Sequence, residues 1–502
     1  MAIEYMTGSG DKDTRASGAT PAFSLSVAVG GVAWAAVLLW WLVSRPPFEI
    51  AERVPGMDGE PLGASAAASA PSSNIGEMFT AFGGAAPPVM RSSWPRFRGA
   101  NADNISAESV PLRDFADGAE PKILWSVELG EGHAAPAVRN GRVYVLDYDE
   151  KEGADALRCF SIDSGEEIWR RGYRVKVKRN HGMSRTVPAV SDSVAVTVGP
   201  LSHAMGTHAI TGALLWGIDL VKEYGAETPL WYTGQCPLID DTVAVLAPSG
   251  GRALLVGVHA MTGEVLWETP NARGWKMSHS SVMPMTFGGR AVYVYCASGG
   301  IAGVAADGDD RGSVLFETGE FNQSVVAPSP VAIGGDRIFV TAGYAAGGAV
   351  FQVAGGGGNF SISLIKRYGV KEGLASEQQT PLYHRGRLYG VLPKDAGTHR
   401  DQFVCVDESD PSAFKWASGP ENLFGLGPFL IANNKFYILS DDGTLTVAAI
   451  SPQRFEKRGS AKITSGVDAW GPMAIAGGLL LLRDSRKMFC VDLRDYSRST
   501  LK

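Results

Sequence analysis

A proline recurs eight times in one setting, and this repeat restricts the fold more than any other feature of the chain. The instances are Pro136, Pro188, Pro237, Pro284, Pro330, Pro381, Pro428 and Pro472, each followed by an apolar residue. Successive gaps run from 44 to 52 residues. Periods of this size belong to solenoids, propellers and other arrays. After each proline come a polar turn and an apolar run, as in Asn140-Gly141 before Val143 to Leu146, or Arg385-Gly386 before Leu388 and Tyr389. A third apolar run follows, ending at Cys159, Cys405 or Cys490 in three of the units. A fourth is marked by a glycine four residues before a tryptophan: Gly165 and Trp169, Gly212 and Trp216, Gly263 and Trp267. Later units keep only an aromatic there, Phe316 and Trp416. Four short antiparallel strands in about 45 residues are one propeller blade. The prolines suit strand starts, where no ladder donor is needed, and the aromatic can pack between blades. The 62 glycines among 502 residues agree with an all-β fold rich in tight turns.

The expected fold is therefore an all-β, eight-bladed propeller of four-stranded antiparallel blades. The last unit supplies three strands, whereas Lys122 to Trp125 reads as an orphan fourth strand ahead of the first unit. It is expected to complete the eighth blade and close the ring, leaving no open sheet edge between the chain ends.

Ahead of the repeats, residues 23–43 form an uncharged apolar run of 21 residues with Trp40 and Trp41 near one end. As a helix it would span about 30 Å, a bilayer core. The flanks, Ser44 to Phe48, do not resemble a signal-peptide cleavage site, so an uncleaved single-pass transmembrane helix is expected. Lys12 and Arg15 on one side balance Arg45 and Arg53 on the other, and orientation stays open. The expected organisation is a tail (1–22), a transmembrane helix (23–43), a flexible Pro/Ala/Ser/Gly linker (44–93) and the propeller (94–502).

The formal net charge of −6 gives no basic footprint for nucleic acid. Cys159, Cys236, Cys296, Cys405 and Cys490 are widely spaced, with no CxxC, and read as buried small hydrophobes. His208 and His259 fall in equivalent turns before the Thr-Gly pairs and read as turn residues. Gly355 to Gly358 reads as a hairpin loop, with no phosphate-loop lysine after it. Six basic residues lie from Arg170 to Arg179. Arg174 to Lys178 would put three of them on one strand face, either meeting an acidic partner or headgroups, or guarding a solvated edge strand.

Residues just before the prolines would converge on the central funnel although they come from different units. They are His133, Arg185, Gln235, His279, Gln379 and Trp470, a candidate ligand-binding set.

The repeated glycine–tryptophan turn, with Trp94-Pro95-Arg96-Phe97-Arg98-Gly99 and Lys122 to Trp125, resembles the bacterial pyrroloquinoline-quinone-like (PQQ-like) propeller family over residues 94–494. That resemblance implies work outside the cytoplasm: an inner-membrane, single-pass protein with its propeller in the periplasm. The family includes quinoprotein alcohol dehydrogenases and the propeller lipoprotein of the outer-membrane barrel assembly machinery. Its dehydrogenases carry a vicinal cysteine pair and a calcium cage of oxygen ligands. Neither pattern is found here, and Trp231-Tyr232 reads as an ordinary packing pair. The leading expectation is a non-enzymatic scaffold, binding an envelope or membrane protein and carrying no cofactor or metal. The alternatives are a quinone-dependent oxidoreductase using PQQ and calcium, and a small-ligand or carbohydrate receptor.

Overall fold

The computed structural model describes residues 74–87, 90, 92–356 and 358–498, together with Trp34, Ala36, Val37, Leu39 and Trp40. Residues 1–59 and 60–502 form two separate units. In the first, those five residues are helical and exposed. The rest of the expected transmembrane span 23–43 lies outside the described residues, and among the described residues no helix is long and apolar enough to cross a membrane.

The second unit is the propeller: eight antiparallel sheets, seven of four strands and one of five. The innermost strands are short, from Ala189–Val190 to Met283–Phe287. Seven of the repeated prolines sit just before them, and Pro284 lies one residue inside. The expected ring closure is present. Ile123–Glu128 pairs with Lys487–Asp492, so the eighth blade joins both ends of the propeller. Lys122 adds a latch at this seam, its Nζ 2.9 Å from Asp492 Oδ2 and its carbonyl accepting from the Asp492 N–H.

The fourth strands explain why the sequence repeats glycine with tryptophan. A register shift falls beside the aromatic in the blades carrying Trp125, Trp169, Trp216 and Trp267. Such a bulge adds local twist and re-aims a side chain, here toward the following blade. Trp125 Nε1 donates to Ile162 O at 2.7 Å, Trp169 to Ile210 O at 3.0 Å and Trp216 to Ala260 O at 2.7 Å. Each ring covers the glycine of the next blade's turn. Gly212 has φ 67°, and a Cβ there would lie 2.6 Å from the Trp169 ring. Only glycine meets both demands, so glycine and tryptophan in successive units are one contact. The cysteines of the third strands, Cys159, Cys405 and Cys490, are buried free thiols, as are Cys236 and Cys296. His208 Nδ1 accepts from the Ile210 and Thr211 amides, a turn role as expected.

Two expectations are corrected. The linker was expected to run through residue 93, but Met78–Ala81 is a fifth strand on the outer edge of blade 1, paired with Glu167–Arg174. Its stability comes from this partner, not from a pattern of its own. Arg171 lies 4.3 Å over the Phe79 ring, and its NH1 donates to Gly76 O. Arg170 lies over Phe82. The basic run is therefore no solvated edge strand: the strand ends at Arg174, its edge is covered, and two of its arginines hold the covering segment. Arg171→Ala should expose residues 74–82 to limited proteolysis, with cleavage about three- to tenfold faster. The urea midpoint of the ring should stay unchanged.

The segment after this strand crosses the ring on the face where the inner strands end. Trp94 exchanges backbone hydrogen bonds with Val138, and Pro95 O accepts from Val190 N. Arg96 donates to Ile239 O and Asn104 to Phe429 O. Arg98 reaches the carbonyls of Thr380 and Pro381. Blades on opposite sides of the axis are thus tied to one strap.

Candidate functional site

Loops leading into the inner strands of different blades meet one another. His133, before blade 1, stacks on Trp470, before blade 8, at 3.4 Å between centroids and 15° between planes. Gln379, before blade 6, donates to Trp470 O at 2.7 Å and to Leu426 O. A small cleft lined by Glu377, Gln379, Pro393 and Leu426 opens beside it. The loop carrying His133 is pinned from below by Arg483, whose guanidinium donates to Ala134 O and Gly130 O.

Arg185 occupies the centre. Its charge acts on His133 and His279, and Tyr232 and Tyr344 act on it in turn. Those four groups belong to blades 1, 4, 3 and 5. One terminal nitrogen of Arg185 donates to the carbonyls of Asn180, His181 and Gly182. Its Nε is buried without a hydrogen-bond partner. Burial pushes its pKa down to about 10, so it stays charged at neutral pH.

Both histidines are uncharged there. His279 is pushed down to about 3, first by burial and then by Arg185. His133 is held well below the usual imidazole range by burial, then by Arg185 and Arg483. His133 Nε2 lies 3.1 Å from His181 O, which makes Nε2 the protonated nitrogen and Nδ1 an acceptor. That Nδ1 is buried with no partner.

Gln235 is the exception among the six candidates. Its amide is spent on both backbone groups of Ala247 and it is turned into its own blade. Conversely, Trp231 belongs to the funnel wall. It stacks on Tyr344 at 6.0 Å and 3° and lies 6.1 Å from the His279 ring. Tyr344 sits in a loop between the second and third strands of blade 5, so a search limited to residues before prolines misses it. Tyr232 and Tyr344 have φ of 68° and 55°. Uncommon for such bulky residues, this left-handed backbone clusters at functional sites, and sequence carries no sign of it.

A family model described as "Outer membrane protein assembly factor BamB", built on PQQ-like repeats, matches residues 153–418, more than half of the chain. The chain belongs to this PQQ-like propeller family. The quinohemoprotein alcohol dehydrogenase of Comamonas testosteroni shares the fold of this PQQ-like propeller with a TM-score of 0.54. Identity is 12%, over 80% of this chain and 81% of the dehydrogenase. A europium-containing methanol dehydrogenase gives 0.51 at 11% identity, over 80% of this chain and 89% of its own. BamB from Moraxella catarrhalis gives 0.47 at 14%, over 74% and 99%. No curated protein sequence matches the chain.

The family's quinone and calcium can be tested against these residues. Arg185 and the flat faces of Trp231 and Trp470 suit an acidic planar group. Among the described residues no group of three His, Cys, Asp or Glu side chains could hold a metal ion. The five cysteines are scattered through the blades, and none is adjacent to another. The PQQ-like propeller seen here thus offers part of the chemistry of quinone binding.

Proposed function

We propose that this chain is a binding propeller of the cell envelope, anchored in the inner membrane by residues 23–43, with its ring in the periplasm. It presents the funnel face to a membrane or envelope protein. The observation that carries this reading is the convergence on Arg185 of groups from four other blades, with polar atoms left unpaired beneath the surface. Convergent polar groups in a concavity are what a binding site requires, and a rigid ring holds them at little entropic cost. The apolar run and the family's description as an assembly factor support the placement.

Full-length protein in gently solubilised membranes should co-purify with a partner that is lost when Tyr344, on the exposed wall of the funnel, is changed to Ala. Recovery of the same proteins with Tyr344→Ala would move the partner surface elsewhere. A reporter at the C-terminus tests the topology, and cytoplasmic activity of that reporter overturns the periplasmic placement.

A quinone-dependent oxidoreductase is the second reading, favoured by the Arg185 cation beside the Trp231–Tyr344 wall. Mixing the purified protein with pyrroloquinoline quinone and calcium tests it. A bound chromophore with alcohol-dependent turnover would replace the binding reading.

A further inference from the structure

We propose that the funnel centre binds a carboxylate carried on an apolar or aromatic stem, with Arg185 as its cation and His133 and His279 among its walls. The inference rests on the funnel being the recognition surface and names the chemistry that it recognises.

Arg185 differs from the other buried arginines of the ring. Arg158 is paired with Asp147 and Glu167. Arg483 spreads its donors over the carbonyls of Gly130, Ala134, Asp484 and Ser485. Arg98 does the same over Ala102, Asp103, Thr380 and Pro381. Among the described residues, no carboxylate pairs with Arg185, and its hydrogen bonds all come from one terminal nitrogen. Its buried Nε–H has no acceptor. A buried cation with a donor left over is a place where an anion can dock.

Three features select a carboxylate with an apolar stem. The donors of Arg185 face the site without a carboxylate partner of their own, which suits a carboxylate. His133 on Trp470 and Trp231 on Tyr344 present flat faces from two sides, and flat faces take up apolar or aromatic carbon. The unpaired acceptor at His133 Nδ1 can receive a donor from the ligand stem, such as a peptide N–H. Two sources share this chemistry: a free small acid, and the acidic end of a polypeptide.

The test titrates full-length protein with sodium benzoate, N-acetylphenylalanine and N-acetylphenylalaninamide at constant ionic strength, following tryptophan fluorescence. Both acids should give saturable changes that the amide does not. The tighter acid identifies the source, benzoate for a free acid and acetylphenylalanine for a chain end. Arg185→Gln should weaken the acids roughly tenfold or more. Because Arg185 also holds the loop 180–182, Tyr344→Glu serves as a second variant. It places a carboxylate beside Arg185 from an exposed position and should compete with the added acid while the ring stays folded.

Equal responses to acid and amide, or wild-type affinity in Tyr344→Glu, would overturn the proposal, as would the absence of any saturable change. Acids that bind while no protein partner is recovered would leave the carboxylate site standing and replace the scaffold reading by a small-ligand receptor. A partner lost with Tyr344→Ala, with no acid bound, would do the reverse.

Discussion

Trp125→Ala is expected to destabilise the ring by about 3–5 kcal/mol, the usual cost of truncating a buried tryptophan. Trp125 is on the strand that closes the eighth blade, and its ring covers the Gly165 turn of blade 1. Its Nε1 donates to Ile162 O of blade 1. One substitution thus removes apolar contact and a hydrogen bond from the closing strand, which is joined to the rest of blade 8 by pairing with Lys487–Asp492 and not by the chain. Trp267→Ala is the matched control. Trp267 covers the Gly312 turn, but its Nε1 has no partner, and its strand is continuous in the chain with the rest of its own blade. Urea midpoints of the two variants decide the matter. The Trp125 variant should unfold at clearly lower urea, and equal midpoints would mean that the seam is no weaker than other blade junctions.

Asp155→Asn is expected to stabilise the protein at pH 8 and to leave it unchanged near pH 4. Asp155 is buried on the third strand of blade 1, accepting from Tyr173 Oη at 3.3 Å and Ser184 Oγ at 3.5 Å. Burial raises its pKa from 3.8 to about 7; the Tyr173 hydroxyl opposes this and Asp147 adds to it. Below pH 3.8 the folded and unfolded states both hold the proton and the native contribution is intact. As pH rises toward 7, the unfolded chain releases the proton while the native state keeps it, so stability falls through that window. The accumulated loss is on the order of 4 kcal/mol above pH 7. Asparagine keeps the shape and an acceptor without the charge. Urea midpoints at pH 4, 6 and 8 should diverge steadily from wild type, and a gain of equal size at every pH would exclude titration of Asp155 as its cause.

Local chemistry explains which parts of the fold were legible. The eight prolines mark inner strands because a strand start is the place where a missing N–H does no harm. The glycine–tryptophan spacing marks the fourth strand and its turn. The orphan strand at Ile123–Glu128 followed from counting, since a blade of three strands needs a fourth. Met78–Ala81 could not be found this way. It is short, lies in a Gly- and Pro-rich stretch, and is held by Arg170, Arg171 and the edge of another blade. In the site, His133, Arg185, His279, Gln379 and Trp470, each placed shortly before a proline, lie near one another in the fold. The same position failed for Gln235, which turned into its own blade to satisfy Ala247.

The repeat by itself thus determined the number of blades, the order of their strands and the way the ring closes, because each rests on residues adjacent in the chain. Only the tertiary structure decided what the funnel can hold. The unpaired donor of Arg185, the neutrality of His133 and His279, and the Trp231–Tyr344 wall arise from burial and from neighbours far apart in sequence. Charge state and desolvation belong to the assembled ring, and no spacing of residues along the chain encodes them.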